Sequence, residues 1–304
     1  MKIHVKVPAT TANLGPGYDA LGLALNLWNE AEFVRTDDKR ICVNVSGEGA
    51  ERLPRNAKNA ISQAALQIYA QARQPCPGLR INCLNRIPLG SGLGSSSAAV
   101  LTGMLGANAL LGNPFTPEEI LQLAAQSEGH PDNIAPALLG GLVVSLVHEK
   151  RVHAMKLPLQ KEHPGIQITI VLPAFRLSTQ AARKLLPEQV AHADAVFNIS
   201  RVVLVIEALR SSDLELLGIA MKDRLHQPYR LPVIPGASAA LEAGKKAGAA
   251  AVALSGAGPS LIAFASIRDA GIGSAMKRAF ESAGLSARVF EVATSDEGAI
   301  VSQG

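Results

Sequence analysis

Polar and apolar residues alternate at the start of the chain as they do in a strand. "KIHVKV" (2–7), "RICVNVSG" (40–47) and "GLRINCL" (78–84) each put every second side chain on one face. "LGLALNLWNEAEF" (21–33) reads as a core strand rather than a source of ligand contacts. Residues 57–72, "AKNAISQAALQIYAQA", bring Ala60, Ala64, Ile68 and Ala72 to one helical face. A second helix is expected over 95–111, with serines at its start and Gly112 beyond its end. "TPEEILQLAAQ" predicts a third, with Thr116 as N-cap, Pro117 at the first helical position and Glu119 completing a capping box. "GGLVVSLV" (140–147) returns to strand.

The second half has its own rhythm. "IQITIVLP" is a strand, followed by helices at about 179–186, 190–210, 213–223 and 236–247. The strands "AAVALSG" and "SLIAFA" flank the turn "AGP". A helix at about 268–283 and the strand "ARVFEV" complete the series. With the inserted helices set aside, the order is β-α-β-β-α-β, the split ferredoxin-like arrangement. "KLPLQKEHPG" (156–165), rich in proline and charge, marks the expected boundary between two domains, 1–160 and 161–304.

Composition narrows the classes. The chain has 304 residues, of which 48% are hydrophobic and 18% charged, as in folded globular proteins. No apolar run approaches the roughly 20 residues of a membrane span. "MKIHVKVPATT" carries no apolar signal core, so a cytoplasmic protein with no membrane partner is expected. Three scattered cysteines, Cys42, Cys76 and Cys83, suggest neither zinc nor a disulfide framework. The net charge of +4 suits a small anionic ligand; without a basic run or interleaved aromatics it gives nucleic acid no support.

The chemistry concentrates at "IPLGSGLGSSSAAV" (87–100). Glycines at alternate positions, Gly90, Gly92 and Gly94, permit positive φ and let backbone N–H groups line a hollow. A helix starting directly behind them adds free N–H groups and the positive end of its dipole. Ser95, Ser96 and Ser97 can donate to phosphate oxygens or offer a hard oxygen to Mg²⁺. The pattern suits a nucleotide-phosphate cradle; it also suits a ligand-free strand-to-helix turn, and spacing alone leaves both open. It is not a Walker loop, since no lysine follows, nor a G-x-G-x-x-G fingerprint, whose third glycine would fall on Ser95.

"PLGSGLGSSSAA" resembles the phosphate-loop motif of the GHMP kinase superfamily. Two more of its motifs follow the family order: "PATTANLGPGYDALGLAL" (8–25) and "SGAGPS" (255–260). "ANLGPGYDALGLAL" and "EGHPDNIAPALLGG" resemble the superfamily's homoserine kinases most. The resemblance spans nearly the whole chain. It implies an α+β protein of the GHMP kinase fold, with an N-terminal S5-like α/β domain and a C-terminal ferredoxin-like domain around a cleft. It implies ATP and Mg²⁺ as cofactors and L-homoserine as the small-molecule substrate, phosphorylated on its side-chain hydroxyl on the way to threonine. A homodimer is the family expectation.

Site residues follow from that resemblance. The loop Pro88, Leu89, Gly90, Ser91, Gly92, Leu93, Gly94, Ser95, Ser96, Ser97 and Ala98 would hold the triphosphate, with Ser96 and Glu128 on Mg²⁺. Asn13, Asp19, His130, Asn133, Thr179, Arg183, Arg230 and Gly256 would surround the amino acid. Asp19 would take its ammonium, and the planar forks of Arg183 and Arg230 its carboxylate. Arg183 also has the option of facing the γ-phosphate. Asn133 stands where many superfamily members carry a catalytic aspartate, and an amide cannot remove a proton. Catalysis would then rest on positioning and charge neutralisation by Asn133, Arg183, Ser96 and Glu128, with Asp132 the remaining candidate base. Asn59 would contact adenine, although an exposed asparagine at a helix start explains it equally. The alternatives are a shikimate- or mevalonate-type kinase, and a non-catalytic ATP-binding sensor of the same fold.

Overall fold

The computed structural model describes residues 2–159, 166–266 and 271–304. Its first sheet is built around a long strand. β1 (Lys2–Ala12) runs antiparallel to β2 (Leu21–Thr36), with a register shift between Pro8 and Ala9. The inner end of β2, Leu21 to Leu25, is buried throughout. Its outer half alternates, with Asn29, Ala31 and Phe33 inward. β3 (Ile41–Gly47) lies parallel to β4 (Gly78–Asn85), which pairs with the outer half of β2. The crossover is α1 (Ala60–Gln71).

Behind the sheet lies α2 (Ser95–Leu110). Eleven of its sixteen residues are buried, which makes it the central helix of this unit rather than a surface one. α3 (Pro117–Glu128) starts in the expected capping box, with Thr116 Oγ1 accepting from the Glu119 N–H and the Glu119 carboxylate accepting from the Thr116 N–H. A short α4 (Ile134–Leu139) leads into the hairpin β5 (Leu142–His148) and β6 (Arg151–Leu157), and β5 pairs with the inner end of β2.

The second sheet begins at β7 (Ile166–Pro173). Four helices follow: α5 (Thr179–Lys184), α6 (His192–Ser211), α7 (Leu214–Ala220) and the single turn α8 (Gln227–Arg230). Next come α9 (Ala237–Lys246), β8 (Ala251–Leu254), β9 (Leu261–Ser266), α10 (Ile272–Ser282) and β10 (Ala287–Val292). The strand order β10-β7-β9-β8, antiparallel throughout, is the ferredoxin-like one. Leu261, Ala263 and Ala265 face α9 and α10; Ile262 and Phe264 face the core shared with the first unit.

Three expectations change. The first helix begins at Ala60 rather than residue 57, because Asn59 caps it. The helix expected from 268 is described from Ile272, its first residues lying outside the described ones, as does the boundary between 160 and 161. The tail does not stay with the second unit: β11 (Ile300–Gln303) returns to pair with β1 in the first sheet.

Candidate active site

A cleft of about 660 Å³ opens between the two units, with the glycine loop as its floor. Gly90, Gly92 and Gly94 have φ of 62°, 79° and 68°. A Cβ on Gly92 would lie 2.2 Å from the Ser255 carbonyl oxygen, and one on Gly94 2.0 Å from Thr10 Oγ1. These two glycines let the loop sit directly on β1 and on the 255–260 turn. Hydrogen bonds hold it there: Ser255 Oγ donates to the Gly92 carbonyl at 2.8 Å and the Ser260 N–H to Ser91 O at 3.3 Å. A Cβ on Gly90 would meet nothing within 4 Å, so the loop there is open to solvent. Gly94 caps α2 without a side-chain hydrogen bond, leaving the first-turn N–H groups and the helix dipole turned toward an anion.

Above the loop, Glu128 at the end of α3 accepts from Ser96 Oγ at 2.8 Å and from Ser97 Oγ at 2.7 Å. One carboxylate and two hydroxyls, all oxygen donors, fit a hard cation such as Mg²⁺, which completes its shell with phosphates and water. His130 follows, with Nδ1 2.6 Å from Asp132 Oδ1. That hydrogen bond raises the His130 pKa against the opposing effect of burial. Asp132 Oδ1 also receives Asn133 Nδ2 at 3.3 Å, so its carboxylate serves its neighbours. Asn133 Oδ1 accepts from Thr10 Oγ1 at 2.8 Å, which fixes the amide's orientation.

The far end of the cleft is ionic. Arg183 on α5 meets Asp19 with both fork nitrogens, Nη1 to Oδ2 at 2.7 Å and Nη2 to Oδ1 at 2.8 Å. The bond to Asp19 raises the Arg183 pKa. Arg230, at the end of α8, is only 1% exposed and pairs with no carboxylate among the described residues. Its partners are the Ala182 carbonyl at 3.3 Å, His226 Nδ1 at 3.5 Å and the Tyr18 hydroxyl at 3.5 Å. A buried cation without a counter-ion is costly and invites an anion. His226, fully buried, donates from Nε2 to the Gly15 carbonyl at 2.7 Å; burial lowers its pKa and keeps it neutral.

Of the residues named from the sequence, the cleft brings together Asn13, Asp19, Gly90, Ser91, Gly92, Gly94, Ser95, Ser96, Ser97, Glu128, His130, Asn133, Thr179, Arg183, Arg230 and Gly256. Others stand elsewhere. Leu93 and Ala98 are fully buried core residues; Pro88 O receives Ser91 Oγ, and Leu89 packs over Gly49, so these four shape the loop from behind. Asn59 lies outside the cleft lining. It caps α1, accepting from the Ile61 N–H at 3.0 Å and donating to Pro54 O at 2.7 Å, and it is buried. Asn13 lines the cleft, yet its amide is committed to Gly256 O at 2.7 Å and the Asp19 N–H at 3.0 Å. The sequence reading missed Tyr18 and His226, whose aromatic and imidazole types carry no ligand signal until the fold brings them behind the arginines.

This cleft, a glycine phosphate loop facing an ionic pocket across two packed units, is that of a GHMP-type small-molecule kinase. The sequence profiles of that family match residues 59–141 (GHMP kinases N terminal domain) and 205–284 (GHMP kinases C terminal). The chain is 46% identical over 297 residues to a homoserine kinase of Moorella thermoacetica, covering 98% of this chain and 99% of the other. It is 42% identical over 298 residues to one of Carboxydothermus hydrogenoformans, covering 98% and 96%. The crystal structure of homoserine kinase from Cytophaga hutchinsonii superposes with a TM-score of 0.87 at 32% identity, covering 99% of this chain and 97% of that one. The chain belongs to the homoserine kinase family of the GHMP kinases.

Proposed function

We propose that this protein transfers the γ-phosphoryl group of ATP to the side-chain hydroxyl of L-homoserine, giving O-phospho-L-homoserine. The observation that carries the reading is one cleft with a glycine-loop floor at one end and, at the other, a carboxylate beside two guanidiniums, one of them buried and, among the described residues, in no ion pair. A zwitterion fits that charge pattern: its ammonium would go to Asp19 and its carboxylate to Arg183 and Arg230, the Asp19–Arg183 pair opening to admit it. The loop 90–97 binds the triphosphate through main-chain N–H groups. Ser96, Ser97 and Glu128 would hold Mg²⁺, which when bound neutralises charge on the β- and γ-phosphates. Asn133, its amide fixed by Thr10, and His130, braced by Asp132, orient the hydroxyl. No residue is given the role of base: an amide cannot take a proton, and Asp132 Oδ1 already accepts from Asn133 and meets His130. A loose phosphoryl transition state needs little help of that kind, so positioning and charge neutralisation supply the rate. Asn13 acts by holding Asp19 and the 255–260 turn in place. The reading includes a cytoplasmic location, where ATP is available, and a homodimer as the assembly.

Shikimate and mevalonate kinases are the rival readings, and neither of those substrates has an amine for Asp19. Asp19→Ala is expected to raise the homoserine KM at least about tenfold, what a lost charge-assisted contact is worth, with the ATP KM unchanged. An unaltered homoserine KM would remove the amino-acid assignment.

A further inference from the structure

Two guanidiniums of like charge occupy one wall of the cleft, and the side chain that meets both is Tyr18. Tyr18 does not itself line the cleft. Its hydroxyl accepts from Arg183 Nη1 at 2.9 Å, and Arg230 Nη2 approaches it at 3.5 Å. Its ring lies 5.7 Å from the Arg183 guanidinium carbon and 5.1 Å from that of Arg230. Behind it, the His226 ring packs at 5.3 Å between centroids with an interplanar angle of 31°. His226 is itself seated on the Gly15 carbonyl, and its free Nδ1 faces Arg230 Nη1. Burial and the neighbouring Asp19 raise the Tyr18 pKa, so the hydroxyl stays a neutral acceptor.

Arg183 has Asp19 to hold it; among the described residues Arg230 pairs with no carboxylate. A ring face and a hydroxyl oxygen are what a buried guanidinium can use in place of a counter-ion without being neutralised. A carboxylate partner would fill the Arg230 fork as Asp19 fills that of Arg183, whose pair with Asp19 must open before Arg183 grips a ligand. Tyr18 stabilises the charge and keeps it available.

We infer that Tyr18, wedged against His226, is the positioning residue that sets Arg183 and Arg230 at the spacing needed to grip the substrate carboxylate. This inference rests on the proposed homoserine reading. It assigns Tyr18 no contact with the substrate: its effect passes through the arginines. It therefore depends on the ligand carrying a carboxylate.

Tyr18→Phe keeps the ring and removes the acceptor. The homoserine KM is expected to rise about 5- to 20-fold, the worth of one acceptor for charged donors, with kcat and the ATP KM within about twofold of the parent. 3-Amino-1-propanol, which is homoserine without its carboxylate, should inhibit parent and variant with the same Ki. An unchanged homoserine KM would overturn the inference, and so would a Ki and ATP KM that worsen in parallel with it, since that is a general structural defect. Arg230→Met, measured alongside, should abolish the preference for homoserine over 3-amino-1-propanol. If it does so while Tyr18→Phe is silent, only the role of Tyr18 falls. If Arg230→Met leaves the preference intact, the carboxylate assignment falls, and this inference with it.

Discussion

His130 lines the cleft and His226 is buried behind Arg230 and Tyr18, and their surroundings drive them in opposite directions. Asp132 raises the His130 pKa; burial lowers that of His226. The signs follow from the unfolded value of about 6.5. His130 contributes stability that is complete below that pH and is lost as pH rises through its raised folded value. His226 takes a proton less readily when folded than when unfolded, burial outweighing the nearby Asp223, so it removes stability as pH falls from about 6.5 toward its lowered folded value. Denaturant titrations from pH 7 to 5 should show the parent losing stability more steeply than His226→Gln, by up to about 1.4 kcal/mol per pH unit. Equal slopes would mean that His226 is not held neutral. At this scale Glu128, Arg183 and Arg230 were picked out by the family resemblance rather than by their types, and the structure brings all three into one cleft. Asn59 was not legible, since an asparagine suits a cap and a base contact alike; its hydrogen bonds to Ile61 and Pro54 show the cap.

Among the elements, the glycine loop bears the most strain-sensitive geometry. Gly92→Ala would force a side chain onto the Ser255 carbonyl at a positive φ. The backbone conformation alone costs about 1–3 kcal/mol, so the variant should melt lower and bind ATP more weakly. An unchanged melting temperature and ATP KM would contradict the close packing of the loop on the 255–260 turn. Elements whose signals are local, such as the capping box at Thr116 and the alternation in β4, were readable along the chain. β6, α8 and β11 were not. β6 carries exposed Met155, and its outer edge is paired by a side chain, Gln122, whose amide binds both the N–H and the carbonyl of Val152. β11 is four exposed residues with no periodicity, and it exists because β1 offers it an edge some 300 residues away.

At the scale of the whole molecule, the cleft joins groups far apart in sequence. Asp19 meets Arg183 across 164 positions, and Asn13 meets Gly256 across 243. Motifs name the participants, but the pairing of Asp19 with Arg183 and the isolation of Arg230 arise only when two units pack. The tail contributes to that packing: Asn26 N–H donates to Ala293 O, Ser295 N–H to Ala24 O and Gly141 N–H to Ser295 O before β11 joins β1. Deleting residues 293–304 should therefore lower the melting temperature by roughly 5 °C or more, although the segment lies outside the second sheet. A tail-less protein that melts with the parent would show that these contacts carry no stability. The central claim is tested most directly by incubating the purified protein with Mg-ATP and, separately, homoserine, serine, threonine, shikimate or mevalonate, and following the phosphorylated product by ³¹P NMR. O-phosphohomoserine should form fastest by a wide margin. A faster product from shikimate or mevalonate, or ATP left intact with homoserine present, would contradict it.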